Sequence, residues 1–224
     1  MRGNNRRVIF DEDADRLMFL KVLGKAKLLH GWRVHAYCLM TNHYHLLLET
    51  PEPNIGAGMR WLNSVYSHRF NQRHSRVGHL FQRRYDDGYI TETDHLREVV
   101  RYIPLNPVRA GMCRRPEQYR WSSYAATLGQ APREKFLTVR AVLDLFDANL
   151  DEARKELRGW VEEGLERPRS NPRQFPLIQL IPPGRSVTAD LIKAARREGH
   201  TLSAIGRHLG VSHTTVRRKM LSEA

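Results

Sequence analysis

The sequence predicts an α+β body followed by a small all-α unit at the C-terminus. Three observations predict it. "WRVHAYCLM" and "HYHLLLE" are rich in β-branched, aromatic and apolar residues and flank Thr41-Asn42, a hairpin signal. Apolar residues on both sides of that hairpin recur at helical spacing. Residues 167–186, "RPRSNPRQFPLIQLIPPGRS", contain five prolines and read as a linker to the last 38 residues.

The elements follow in order. Asp11 to His30 reads as a helix opened by acids, which suit a helix N-terminus. Leu17, Leu20 and Leu23 form its apolar stripe beside Lys21, Lys25 and Lys27, and Gly31 stops it. In the return strand of the hairpin, Leu46, Leu47 and Leu48 are apolar on both faces, which predicts a central strand covered on both sides. "PEPN" breaks the chain. Ile55, Met59, Leu62, Tyr66 and Phe70 then mark one helix face, with Arg60, Arg69 and Arg73 on the other side. A basic loop, "HSRVGHLFQRRYDDG", carries Arg83 and Arg84 and leads to a short strand "YIT". Asp94 is placed to cap the next helix, "HLREVVRYIPLNPV". A loop rich in Gly, Arg and Pro leads to "YRWSSYAA", and residues 139–166 read as helical and strongly charged.

These readings divide the chain into a domain over 1–130, a helical extension and linker over 131–186, and a C-terminal domain over 187–224. In the last, "VTADLIKAARREG", "TLSAIGRHLG" and "VSHTTVRRKML" read as three helices, with Thr201 and Ser212 as caps and Gly199 and Gly210 as stops. That is the helix-turn-helix layout. His213, Thr214 and Thr215 stand at the N-terminal end of the recognition helix, where base edges are read, and Arg217, Arg218 and Lys219 lie along or near it. The plainer alternative is a three-helix bundle with a solvated basic face.

The formal net charge of +13 and sequence pI of about 10.2 point to a polyanionic partner, nucleic acid before a membrane surface. No apolar run approaches the ~18 residues of a spanning helix, and "MRGNNRRVIF" does not read as a signal peptide. Cys38 and Cys113 lie far apart without a CxxC partner. They suit a reducing cytoplasm and read as inert thiols rather than a zinc site.

The chemistry-bearing residues are few. In "MTNHYHLLLE", His43 and His45 are spaced by two, so in a strand both imidazoles face the same way. Neutral imidazoles are good ligands for divalent metals, but two do not complete a site. On spacing alone, metal binding and a satisfied pair of core histidines stand level. Further on, His95, Val99, Tyr102 and Asn106 share a helix face. A Tyr phenol can act as a covalent nucleophile, and an amide oxygen one turn on could complete a metal site. Tyr102 reads equally as an aromatic core residue.

"MTNHYHLLLE", "LFQRRY", "VRYIPLNPVRAGM" and "YRWSSY", in that order, resemble the IS200-like tyrosine transposases. The likeness is greatest to the branch associated with repetitive extragenic palindromes, the REP-associated tyrosine transposases, and runs from about residue 2 to about 128. The resemblance implies a ferredoxin-like antiparallel sheet with helices on it, and membership of the HUH endonucleases, in which two histidines flank a bulky hydrophobic residue, here Tyr44. It implies that His43, His45 and Asn106 bind Mg²⁺ or Mn²⁺ and that Tyr102 is the nucleophile. The implied reaction cleaves single-stranded or hairpin DNA to a 5′-phosphotyrosine and a free 3′-OH. Arg60, Arg69, Arg83 and Arg84 are then candidates for backbone contacts, each of which reads singly as a solvated surface Arg.

Two departures follow from the same resemblance. The family begins with a strand leading into the "RGNNR" segment, whereas this sequence starts inside it. A missing core strand is expected to leave an edge and a gap beside the histidine strand, with poor stability or aggregation. Pro104, two residues after Tyr102, is expected to kink the helix or end it near Tyr102. These departures keep a second reading in view, a non-catalytic DNA-binding regulator using the helix-turn-helix. RNA binding, resting on charge and fold analogy, ranks third.

Overall fold

The computed structural model describes residues 1–82, 90 and 93–166, together with 192, 193, 205, 215 and 216. The chain divides into two compact units, one of Met1–Asp86 with Leu96–Pro168 and one of Asp87–His95 with Arg169–Ala224.

The first unit is α+β, built around one antiparallel hairpin. β1 (Arg33–Leu39) pairs with β2 (Tyr44–Glu49), with Cys38 opposite His45 and Leu39 opposite Tyr44. The register shifts between Val34 and Ala36, so His35 sits in a bulge. Short bridges widen the hairpin on both sides. Cys38 pairs with Ser122 beyond β1, Arg2 pairs with His43 beyond β2, and Gly3 pairs with Phe81.

One face of the hairpin packs on α1 (Asp13–His30) and α2 (Ile55–Arg73). Tyr44 points into this layer, 2% exposed, its ring 4.6 Å from that of Phe19 and its hydroxyl donating to Asn63 Oδ1 at 2.5 Å. Phe10, Phe19 and Tyr66 complete an aromatic cluster with centroids 5.1 to 5.5 Å apart. Each such pair contributes roughly 0.5–1.5 kcal/mol beyond the area it buries. Asp15, fully buried, ties the two helices together. It accepts the backbone N–H groups of Asp11 and Glu12 and lies 2.9 Å from His74 Nε2.

The expected elements appear with some differences. Gly31 closes α1 in the left-handed region at φ 67°. Leu20 and Leu23 are buried, but Leu17 is 48% exposed, so the apolar stripe is narrower than its leucine spacing suggests. β2 is not covered on both sides as its leucines predict. Leu46 and Leu48 are part-exposed. Opposite β1, its edge is met only at the start, where Tyr44 N–H donates to the Met1 carbonyl at 3.1 Å. Beyond that, among the described residues, no strand pairs with Leu46–Glu49 on this edge.

α3 (Thr93–Arg109) lies over the other face of the hairpin. Asp94 falls in its first turn rather than before it. The helix does not end near Tyr102. It runs through Pro104 and Pro107 to Arg109, although an interior proline costs about 3 kcal/mol. A side chain explains part of this. Pro107 has no N–H for the Ile103 carbonyl, and Asn106 Nδ2 donates to that carbonyl at 3.3 Å and to the Tyr102 carbonyl at 2.8 Å.

After the short α4 (Tyr124–Thr127), the helical stretch expected over 139–166 is two helices, α5 (Arg140–Leu143) and α6 (Leu150–Glu166). The break has local causes: Asn149 Oδ1 accepts the Asp151 N–H at 2.9 Å, an N-terminal cap that starts α6 anew. No helix among the described residues is long and apolar enough to cross a membrane.

In the second unit, Ile192, Ile205, Thr215 and Val216 are helical, and Ile192, Ile205 and Val216 are 0 to 1% exposed. One buried apolar residue thus comes from each of the three segments read as helices. The rest of the helix-turn-helix reading, with most of the "YIT" strand and the Pro-rich linker, lies outside the described residues.

Candidate functional site

The hairpin fixes the two histidines. Tyr44 is held in the aromatic core, so its neighbours His43 and His45 both turn to the opposite face. Their ring centroids are 5.0 Å apart. α3 brings Tyr102 over them, its ring 5.5 Å from that of His45 and nearly perpendicular to it. Two residues on the hairpin and one on a helix, distant in sequence, therefore meet on one side of the sheet. Asn106 stands one turn beyond Tyr102. Its amide nitrogen is engaged with helix carbonyls, which leaves Oδ1 as its remaining polar atom.

The orientation of the His43 ring is fixed by its neighbour. Asn42 Nδ2 donates to the Arg6 carbonyl at 3.0 Å, which orients that amide. Asn42 Oδ1 then faces His43 Nδ1 at 2.8 Å and accepts its proton, so the His43 lone pair sits on Nε2. Burial, aided by the nearby Arg2 charge, lowers the His43 pKa from 6.5 to about 4, so the imidazole is neutral in ordinary buffers. Two imidazoles and an amide oxygen are a donor set that suits a small divalent cation. Among the described residues no group of three or more His, Cys, Asp or Glu side chains gathers for a metal, so any third protein ligand would be a side chain of another kind.

The hairpin's third histidine is differently occupied. His35 is buried, with Nδ1 3.2 Å from the Thr138 carbonyl and Nε2 3.0 Å from Glu49 Oε2. The two cysteines are remote from metal chemistry. Cys38 is buried and its pKa is raised by that burial, while Cys113 is part-exposed.

The remaining candidates divide. Arg60 and Arg69 are exposed on α2. Arg73, on the same helix, pairs with Glu12 and Asp15. Thr215 is helical and part-exposed. Arg83, Arg84, His213, Thr214, Arg217 and Arg218 lie outside the described residues.

Two residues beside the histidines escape a reading of the sequence. Asn42 looks like a turn residue, and only its place immediately before His43 hints at more. Arg2 pairs directly across from His43, so the two side chains share a face of the sheet, and Arg2 is exposed. Nothing local in "MRGNNR" signals that neighbour.

The first unit is thus an α+β body with paired imidazoles on a hairpin and a tyrosine on the helix above it. The family model described as "Transposase IS200 like" matches residues 1–106, the stretch from the N-terminal bridge to Asn106. Over these residues the chain is similar to the IS200-like transposase family, and DNA is the substrate class that family implies. No curated protein and no solved structure matches the chain.

Proposed function

We propose that the protein is a metal-dependent endonuclease and strand transferase of the REP-associated branch, acting on single-stranded or hairpin DNA through Tyr102. The observation that carries this reading is the Tyr102 ring 5.5 Å from His45, itself 5.0 Å from His43. His43, His45 and Asn106 would hold Mg²⁺ or Mn²⁺. Bound there, the cation would neutralise charge developing on the non-bridging phosphate oxygens.

The chain's own residues do the rest. The Tyr102 oxygen forms the new bond to phosphorus as the P–O3′ bond breaks in line with it. The phenol proton is lost and the departing 3′ oxygen gains one. No water enters, so the phosphodiester bond energy stays in the 5′-phosphotyrosine for later strand joining. Exposed arginines such as Arg60 and Arg69, with Arg83 and Arg84, would track the backbone of the single strand. A ferredoxin-like body would carry this site. A C-terminal helix-turn-helix, reading bases through His213, Thr214 and Thr215 with Arg217 and Arg218, would add duplex binding.

The test is a hairpin-bearing single-stranded oligonucleotide incubated with the protein and Mn²⁺. A covalent protein–DNA band on a denaturing gel, absent in Tyr102→Phe, is expected. Cleavage that survives this substitution would sink the nucleophile assignment. Hairpin binding with no metal-dependent cleavage would favour the regulator reading instead.

A further inference from the structure

We propose that α6, outside the stretch matched to the transposase family, is the element that positions the Tyr102 helix, with Trp160 and Gly164 as positioning residues. The inference deepens the Tyr102 reading and rests on it.

The contacts recur at each turn of α3. Arg97, Arg101, Leu105 and Arg109 are spaced by four and form one stripe along the helix. Trp160 Nε1 donates to the Arg97 carbonyl at 3.1 Å. The Arg101 guanidinium stacks 4.3 Å from the Trp160 ring centroid, and that of Arg97 lies 5.4 Å from it. One turn on, α3 and α6 approach closely at Gly164, where any Cβ would force the α3 side chains to shift. A Cβ at Gly164 would stand 2.7 Å from both Arg101 Cδ and Leu105 Cδ1. Finally, Arg109 Nη2 donates to the Gly164 carbonyl at 3.1 Å.

This stripe brackets Tyr102 and Asn106 from a neighbouring side of the same helix. The bracketed segment is also the one the prolines weaken. Pro104 and Pro107 remove the N–H groups that would bond the Val100 and Ile103 carbonyls. Asn106 compensates at Ile103. A helix short of internal bonds holds a side chain less firmly, and a misplacement of about 1 Å can cost on the order of 100-fold in rate. The external struts supply rigidity where the nucleophile needs it. Arg101, 5% exposed, is not placed to touch DNA, and its stack on Trp160 serves the helix.

The experiment measures single-turnover adduct formation on the hairpin oligonucleotide, with oligonucleotide affinity and Mn²⁺ affinity measured separately. Trp160→Ala is expected to slow adduct formation roughly 10- to 100-fold while both affinities stay within about twofold of wild type. Trp160→Phe keeps the ring beneath the guanidiniums and is expected to restore most of the rate. Arg109→Met removes one strut at a half-buried position. It serves as the second variant if Trp160→Ala does not unfold cooperatively. A folded Trp160→Ala or Arg109→Met with wild-type adduct rate overturns the proposal, and so does a loss that tracks metal or DNA affinity. If wild-type protein forms no adduct, the chemistry fails and the brace is judged by hydrogen exchange over residues 97–106. Faster exchange in the variants supports it, and unchanged exchange overturns it.

Discussion

The two halves of the candidate site are held by opposite means. The histidine half is local. β1, a tight turn and β2 fix both imidazoles, and Tyr44 between them is sunk in the aromatic core with its hydroxyl on Asn63. The tyrosine half is borrowed. α3 carries two prolines, and several of its side contacts come from α6, across 63 residues in the Trp160 bond and 55 in the Arg109 bond. Ligands can tolerate a rigid frame set once by a hairpin. As the proposed nucleophile, Tyr102 must meet a phosphorus atom along a line, and its helix packs on an element that arrives late in the sequence.

The largest effects should separate the halves by kind of loss. Tyr102→Phe is expected to abolish the covalent adduct at every metal concentration while leaving Mn²⁺ binding intact. His45→Ala should lose Mn²⁺ binding itself, measured by isothermal titration, and lose cleavage with it. If Tyr102→Phe loses metal affinity as severely as His45→Ala, the division of roles between strand and helix is wrong.

Next in size is a pH effect confined to the hairpin half. His43 takes up a proton near pH 6.5 when unfolded but only near pH 4 when folded. Below 6.5 the unfolded chain therefore binds more protons. The stability linked to His43 is fully present above pH 6.5 and is lost as pH falls toward 4, by up to about 3 kcal/mol. Denaturant melts of wild type and His43→Gln between pH 7 and 4 check this, since the variant should lack that part of the slope. Equal slopes would mean that His43 is not buried as a neutral base.

How much could be read from the sequence follows the same division. The hairpin, the shared face of His43 and His45, and the one-turn spacing of Tyr102 and Asn106 are all short-range periodicities. Each appears in the structure. The continuity of α3 past its prolines was not legible, because at Pro107 the Asn106 side chain bonds the Ile103 carbonyl that the proline leaves free. Leu46 and Leu48 misled for a different reason. Apolar side chains show that a strand can be covered, not that it is. The pairing of Arg2 with His43 and the fit of Gly164 against Arg101 are contacts of the folded chain, and no periodicity announces them.

A smaller effect tests the proposed ligand role of His43. Asn42→Ala removes the acceptor that holds the His43 Nδ1 proton. Partners of this kind typically contribute 10- to 100-fold to metal affinity, so a drop of about that size in Mn²⁺ binding is expected, with Tyr102 chemistry recovered at high metal. An unchanged affinity would show that the tautomer is set by something else.

The smallest expected effect runs in two directions at once. Arg2 is exposed, but it sits directly across from His43 on the same face. A guanidinium beside the two proposed metal ligands would repel a divalent cation. An anion placed between them reverses the sign, since a DNA phosphate can accept from the guanidinium and neutralise the cation together. Arg2 should therefore weaken metal binding in the free protein and strengthen it once DNA is bound. Arg2→Ala is expected to raise Mn²⁺ affinity without DNA by severalfold and to lower it, with adduct rate, by roughly tenfold on the hairpin oligonucleotide, about 1.4 kcal/mol. Both changes should shrink as salt is raised from 50 to 300 mM, because Arg2 is solvent-facing and its field is screened within about 10 Å at moderate ionic strength. Parallel titrations with and without oligonucleotide read the two signs. A change of the same sign in both would place Arg2 outside the reach of the scissile phosphate.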